Sequence, residues 1–253
     1  MAVDLKQLQA DLKNVGLLPA EPDGKWGPKS HGAFLKARAL VARSDVSIAK
    51  MSAQLVSLCK APAWSAKQTP QFVSRVKEIV AALGMPSTGV DDLMACIAWE
   101  SGESFSAGIV NKAGSGATGL IQFMPGTAIV YFNSAAEIAK MSEIQKKEAG
   151  LKACRTLAAM SDVQQLDYVL KYFQPYKGRL KNLGDLYMSI LWPLGIGKDD
   201  SYVLWTAEGR PTTFRQNSGL DVNKDGAITR AECLVKVNDK LTKGLHPDYL
   251  RAA

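Results

Sequence analysis

Asp91-Asp92-Leu93-Met94-Ala95-Cys96-Ile97-Ala98-Trp99-Glu100-Ser101 is the stretch from which the rest of the chain is read. Between Leu93 and Trp99 it is apolar on every side of a helical wheel, and such a helix is buried rather than laid on a surface. Ser101-Gly102 comes next as a natural stop. The last turn carries Glu100. Two effects push a carboxyl group there toward its neutral form: removal from water beside Trp99, and the negative end of the helix dipole. A carboxylic acid kept protonated near neutral pH is what general-acid cleavage of a glycosidic bond requires. The plainer alternative is a solvated glutamate at the end of a core helix.

Working outward, the flanking segments also read as helices. Residues 70–83, 127–140, 142–160, 162–173 and 183–192 show helical spacing or capping signals, with Ser142 and Gln145 as one start and Pro175 and Pro193 as stops. Toward the N-terminus, 4–15 reads as a short amphipathic helix opened by Asp4 and Gln7 and ended at Gly16, and a second helix begins at Pro28. From about residue 41 the chain is rich in Ala, Ser and Lys, which predicts a linker over 43–69 ending at Lys67-Gln68-Thr69-Pro70. The clearly non-helical stretch is 102–122, with five glycines and three serines, expected as a small β-hairpin or an ordered loop.

The 253 residues suffice for one or two domains with a full core. Hydrophobic residues at 47% and charged residues at 22% exclude wholesale disorder and a fibrous architecture. A net charge of +7 favours an anionic polymer as partner, nucleic acid or bacterial envelope. The basic residues are scattered without a stacking-aromatic module, which argues against nucleic acid. No apolar run reaches membrane-spanning length, so no stable membrane insertion is expected, and Met1-Ala-Val-Asp4-Leu-Lys lacks the layout of a secretory signal. Cys59, Cys96, Cys154 and Cys233 lie far apart and there are two histidines, so reduced, packed cysteines are expected rather than a zinc site.

Trp99-Glu100-Ser101-Gly102, followed by Gly116-Ala117-Thr118-Gly119-Leu120-Ile121-Gln122-Phe123-Met124-Pro125-Gly126-Thr127-Ala128, resembles the soluble lytic transglycosylase family. That family shows a Glu-Ser pair, then a Gly-x-x-Gly-Leu-x-Gln-x-Met-Pro-x-Thr-Ala run at this spacing. The resemblance implies a lysozyme-like, mainly α fold with a small β element over 70–253, in which Glu100 is the catalytic acid and base. Ser101, Gly119, Gln122 and, more loosely, Tyr131 and Tyr172 would line the sugar cleft. A third family element, usually Ala-Tyr-Asn, survives only as the tyrosine of Leu186-Tyr187-Met188. Tyr187 would then hydrogen-bond near Glu100, or be an ordinary core aromatic.

A hydrolytic glycosidase needs two carboxylates around the bond. Segment 104–136 contains no Asp or Glu. Glu103, one turn from Glu100, either shares its face or points to solvent. One acid suits a lytic transglycosylase, in which a 1,6-anhydro ring closes without water; a hydrolytic muramidase is the alternative.

Residues 8–35 contain Leu8-Gln9-x-x-Leu12, Gly16-Leu17 and Asp23-Gly24-Lys25-Trp26-Gly27-Pro28-Lys29-Ser30-x-x-Ala33-Phe34. This is similar to the small three-helix peptidoglycan-binding domain, which implies such a domain over 1–42, with Trp26 either packed in its core or facing a sugar. Tethering a weak wall binder to an enzyme raises the local substrate concentration.

Finally, Asp221-Val-Asn223-Lys-Asp225-Gly226-Ala227-Ile-Thr229-Arg-Ala-Glu232 fits the twelve-residue EF-hand loop. Side-chain oxygens stand at Asp221, Asn223 and Asp225, Ala227 offers its carbonyl, Thr229 an oxygen or a water, and Glu232 a bidentate carboxylate. The exiting helix is expected over 229–242, while 211–219 is a poor entering helix, so a lone structural Ca2+ clamp is expected rather than a sensor pair. Together the resemblances imply a monomeric, modular phage endolysin acting on peptidoglycan, held in the host cytoplasm and released to the periplasm through a holin. A virion-associated wall-degrading enzyme and a non-catalytic, calcium-stabilised wall-binding protein are the competing readings.

Overall fold

A computed structural model describes residues 3–252. They are mainly helical, with one small two-stranded sheet. The chain divides into two units: residues up to Thr69 together with those from Thr242 on, and Pro70–Leu241.

The first unit contains α1 (Leu5–Asn14), α2 (Pro28–Ala42) and α3 (Ala53–Lys60). Asp4 caps α1, its carboxylate accepting from the N–H groups of Lys6 and Gln7, and Pro28 supplies the first turn of α2. Leu8, Leu12, Phe34, Ala37, Leu55 and Leu58 form the core. The buried amide of Gln9 ties the next loop to α1: its Oε1 accepts from Asp23 and Gly24 N–H, and its Nε2 faces Asp23 Oδ1, Lys25 O and Ser30 Oγ at 2.9 Å each.

Two boundaries differ from expectation. Residues 43–69 are not a linker but part of this core, since α3 buries Leu55, Leu58 and Cys59, and Trp64 is fully buried. Two leucines and a cysteine on one face suffice to bury so short a helix, a signal that the surrounding Ala, Ser and Lys mask. The chain from Thr242 on also belongs here, not with the segment that begins at Pro70. Leu250 enters the core, Trp64 N–H donates to Gly244 O at 3.0 Å, and Arg251 N–H donates to Ser65 Oγ.

The second unit is built from α4 (Pro70–Ala82), α5 (Gly89–Glu100), α6 (Pro125–Ala128), α7 (Ala135–Ala139), α8 (Glu143–Ala158), α9 (Asp162–Phe173), α10 (Leu183–Leu191), α11 (Pro211–Gln216) and most of α12 (Arg230–Gly244). Every residue from Leu93 to Ala98 is buried, with α5 packed against α4 and α10. Residues 127–140 are not one helix: a 3-10 turn over Ile129–Tyr131 interrupts them, and Ser134 opens α7 with a capping box to Glu137. Ser142–Gln145 and Ser161–Gln164 make the same box at α8 and α9. Stretch 102–122 is an ordered loop with isolated bridges Val110–Thr118 and Thr118–Phe123. The ladder forms elsewhere, between β1 (Val203–Thr206) and the antiparallel β2 (Ala227–Thr229), which lies inside the twelve-residue loop. All four cysteines are buried and free. Among the described residues, no helix is long and apolar enough to cross a membrane.

Candidate active site

Glu100 is the last residue of α5 and half-buried. Burial pushes its carboxyl from the ordinary 4.5 up to about 8, and the helix C-terminus acts in the same direction. The turn beyond it is tightly fixed. Ser101, with no exposed surface, donates from Oγ to Ile97 O at 2.6 Å and accepts from Phe105 N–H at 3.0 Å. That hydroxyl is engaged inside the protein, so Ser101 shapes the turn instead of facing a ligand as expected. Gly102, Glu103 and Phe105 all take left-handed backbone. Such conformations cost of order 1–3 kcal/mol at non-glycine residues, and they persist only where the surroundings over-determine them. The Glu103 carboxylate is paired with Lys240 of α12, which leaves Glu100 as the carboxyl of this turn that is held neutral.

α10 brings Tyr187 beside this helix end. Its hydroxyl oxygen accepts from Trp99 Nε1 at 3.0 Å, so the hydrogen bond expected near Glu100 runs to the adjacent residue. An indole N–H can only donate. The tyrosine's own proton therefore points away from Trp99. Burial, and then the charge of Glu100, push the Tyr187 phenol up; burial, neighbouring phenols and Glu100 do the same for Tyr172. Tyr172 donates to Ser189 O of α10 at 3.2 Å. Phe123 lies edge-on to both Tyr131 and Tyr172, at 6.1 Å between centroids, and Tyr131 lies edge-on to Tyr168, which stacks with Phe132. The structure thus gathers Glu100, Tyr131, Tyr172 and Tyr187 into one neighbourhood, and adds Tyr168 and Phe132, which sequence reasoning missed.

The loop carrying Gly119 and Gln122 is held from behind by Gln165 of α9, another residue that sequence reasoning missed. Its Oε1 accepts from Leu120 N–H at 2.7 Å, and its Nε2 donates to Ala107 O and Leu157 O at 3.1 and 2.9 Å. The available signal was an amide side chain one and two turns before Val169 and Phe173, on the apolar face of α9. Gly119 sits at φ +82, and a Cβ there would lie 2.2 Å from Gln165 Oε1. Glycine is thus required twice over, by conformation and by contact. Gln122, at φ +53 and half-buried, folds back so that its Nε2 and its backbone N–H both donate to Gly119 O at 3.2 Å.

The twelve-residue loop stands apart from this cluster in sequence and is closed on itself. Asp221 Oδ2 accepts from Gly226 N–H, Asn223 Oδ1 from Asp225 N–H, and Asp225 Oδ1 from Ala227 N–H. Glu232 accepts from the N–H groups of Val222, Asn223 and Thr229 and from the Thr229 hydroxyl. Burial alone would raise its carboxyl, but these hydrogen bonds hold it below the usual range. In this arrangement no group of three or more His, Cys, Asp or Glu among the described residues converges as a metal cage. Asp221 Oδ1, however, is buried with no hydrogen-bond partner. A buried carboxylate oxygen is costly unless a donor or a cation meets it. Hard oxygen donors at 221, 223, 225, 227 and 232 are the kind Ca2+ takes, so the residues fit that ion in their chemistry.

Trp26 belongs to the first unit, half-buried and edge-on to Phe34 at 5.8 Å. No family model matches the chain, and no curated protein is significantly similar to it.

Proposed function

We propose that this protein is a peptidoglycan-degrading endolysin that cleaves the β-1,4 bond between N-acetylmuramic acid and N-acetylglucosamine as a lytic transglycosylase. The observation that carries the reading is the Glu100 carboxyl, pushed up to about 8 at the end of a buried helix with Tyr187 and Tyr172 beside it. At neutral pH such a group holds its proton and can give it up. Glu100 protonates the glycosidic oxygen as the C–O bond breaks, and the acetamido group of the substrate stabilises the cationic centre. The carboxylate so formed then takes the proton of the muramic C6 hydroxyl, whose oxygen bonds to that centre and closes the 1,6-anhydro ring. Glu100 thereby regains its proton, and no water is consumed. The pairing of Glu103 with Lys240, and a loop without acidic residues, favour this route over hydrolysis, which needs a second carboxylate.

Trp99, held through Tyr187, keeps the helix end in place, and the aromatic groups at 131, 132, 168 and 172 meet the glycan. The first unit serves as the wall-binding module. Asp221, Asn223, Asp225, Ala227 and Glu232 would hold a Ca2+ ion, whose contribution is structural charge neutralisation in the loop. The protein would be stored in the host cytoplasm and reach the wall once a holin opens the inner membrane.

Mass spectrometry of fragments released from purified sacculi tests the reading. Anhydro-muramic ends are expected, together with loss of release in Glu100→Gln. Fragments carrying an added water, or undiminished release by the variant, overturn it.

A further inference from the structure

The first unit holds a cavity of about 650 Å³, within the range of small-ligand sites. One wall is Trp26, two residues before α2, together with His31 and the bare backbone of Gly32 in the first turns of that helix. The other wall comes from the end of the chain, where Lys243, His246 and Tyr249 face it. The two walls meet through rings. Trp26 lies edge-on to His246 at 5.8 Å, and His246 edge-on to Tyr249 at 6.3 Å. Lys243 sits over Tyr249 at 5.5 Å, and the Trp26 indole N–H is buried without an acceptor. Both histidines of the chain are in this cavity.

Resting on the wall-binding role given to this unit, we infer that the glycan-binding pocket is composite, completed by the C-terminal segment, and that its ligand is an N-acetylated amino sugar of the wall glycan. A pyranose offers a C–H face to aromatic rings and an edge of hydroxyl and amide groups to polar partners. Trp26 and Tyr249 supply the rings here, and the imidazoles and Asp248 supply donors and acceptors. The module-like residues 1–42 therefore hold only half of the site.

Gly32 provides a clean perturbation. A Cβ there meets nothing within 4 Å, and replacing a glycine inside a helix strengthens it, so Gly32→Leu fills the cavity without weakening the fold. The probe is the peptide-free disaccharide of N-acetylglucosamine and N-acetylmuramic acid, titrated into the full-length Glu100→Gln protein. Binding is read from the two histidine ring signals by NMR, which report on this cavity alone. Both signals should shift saturably. Affinity should fall at least tenfold in Gly32→Leu and in Tyr249→Ala. Unmoved histidine signals at saturating disaccharide, or unchanged affinity in a Gly32→Leu protein that melts at or above its parent, overturn the inference. Anhydro-product release with unmoved histidine signals would sink the pocket and leave the enzymatic reading standing; shifted signals without any release would do the reverse.

Discussion

Glu100→Gln should stabilise the protein while silencing it, and the gain should depend on pH. The carboxyl has its ordinary value of 4.5 in the unfolded chain and about 8 in the folded one. Below 4.5 both states are protonated and burial of the group costs nothing through ionisation. Above it the unfolded chain loses its proton and the folded one does not, so stability falls as pH rises until the folded group also ionises near 8. Each pH unit in that window is worth about 1.4 kcal/mol. At pH 7 the penalty is therefore ~3 kcal/mol, which an amide of the same shape does not suffer. For a unit of this size that corresponds to roughly 6–12 °C in melting temperature. The assay is thermal denaturation of wild type and Glu100→Gln at pH steps from 4 to 8. The difference between them should open from near zero to its full size across the series. Packing differences of the amide add a constant offset and leave the slope untouched. Asp92, which burial and then Asp91 push up to about 7, titrates in both proteins and cancels. A gap that stays the same across the series would mean that Glu100 ionises like a surface glutamate, and the proposed acid would lose its physical basis.

Gln165→Leu removes the partner of three buried backbone groups and should cost about 2–4 kcal/mol, with accelerated amide hydrogen exchange at Leu120; protection equal to wild type would refute the bracing role. Tyr187→Phe strands the Trp99 indole N–H and should cost about 1–3 kcal/mol in urea unfolding, with a fall in kcat and little change in KM; unaltered kcat would make Tyr187 a packing residue only. Calcium at a hundred times its Kd should raise stability by about 2.7 kcal/mol over chelator, and Asp221→Ala should abolish the difference; equal melting in calcium and in chelator would remove the ion from the account.

What could be read from the sequence was what neighbouring residues decide between themselves. The caps at Asp4 and Ser142, the start of α2 at Pro28 and the all-round burial of α5 need only a turn or two of chain, and the elements start or stop within a residue or two of those signals. Glu100 was legible for the same reason: its apolar neighbours are adjacent in sequence. Contacts between distant segments left no such trace. Gln165 lies 58 residues from Ala107 and 45 from Leu120, and nothing in α9 alone announces which loop its amide will meet. Ser101 had the right chemistry for a sugar contact, but its hydroxyl answers a local demand, the carbonyl of Ile97 and the amide of Phe105. Likewise, the Ala, Ser and Lys of residues 43–69 suggest a linker, while within α3 Leu55, Leu58 and Cys59 share one buried face.

The place of Leu250 in a core that starts at Leu8 has a consequence for how the molecule is made. An N-terminal domain ordinarily folds first, while the ribosome is still translating the remainder of the chain. Here the earliest segment lacks part of its interior until Leu250 has been translated. Shortening the chain by a dozen residues at its end would thus injure its beginning.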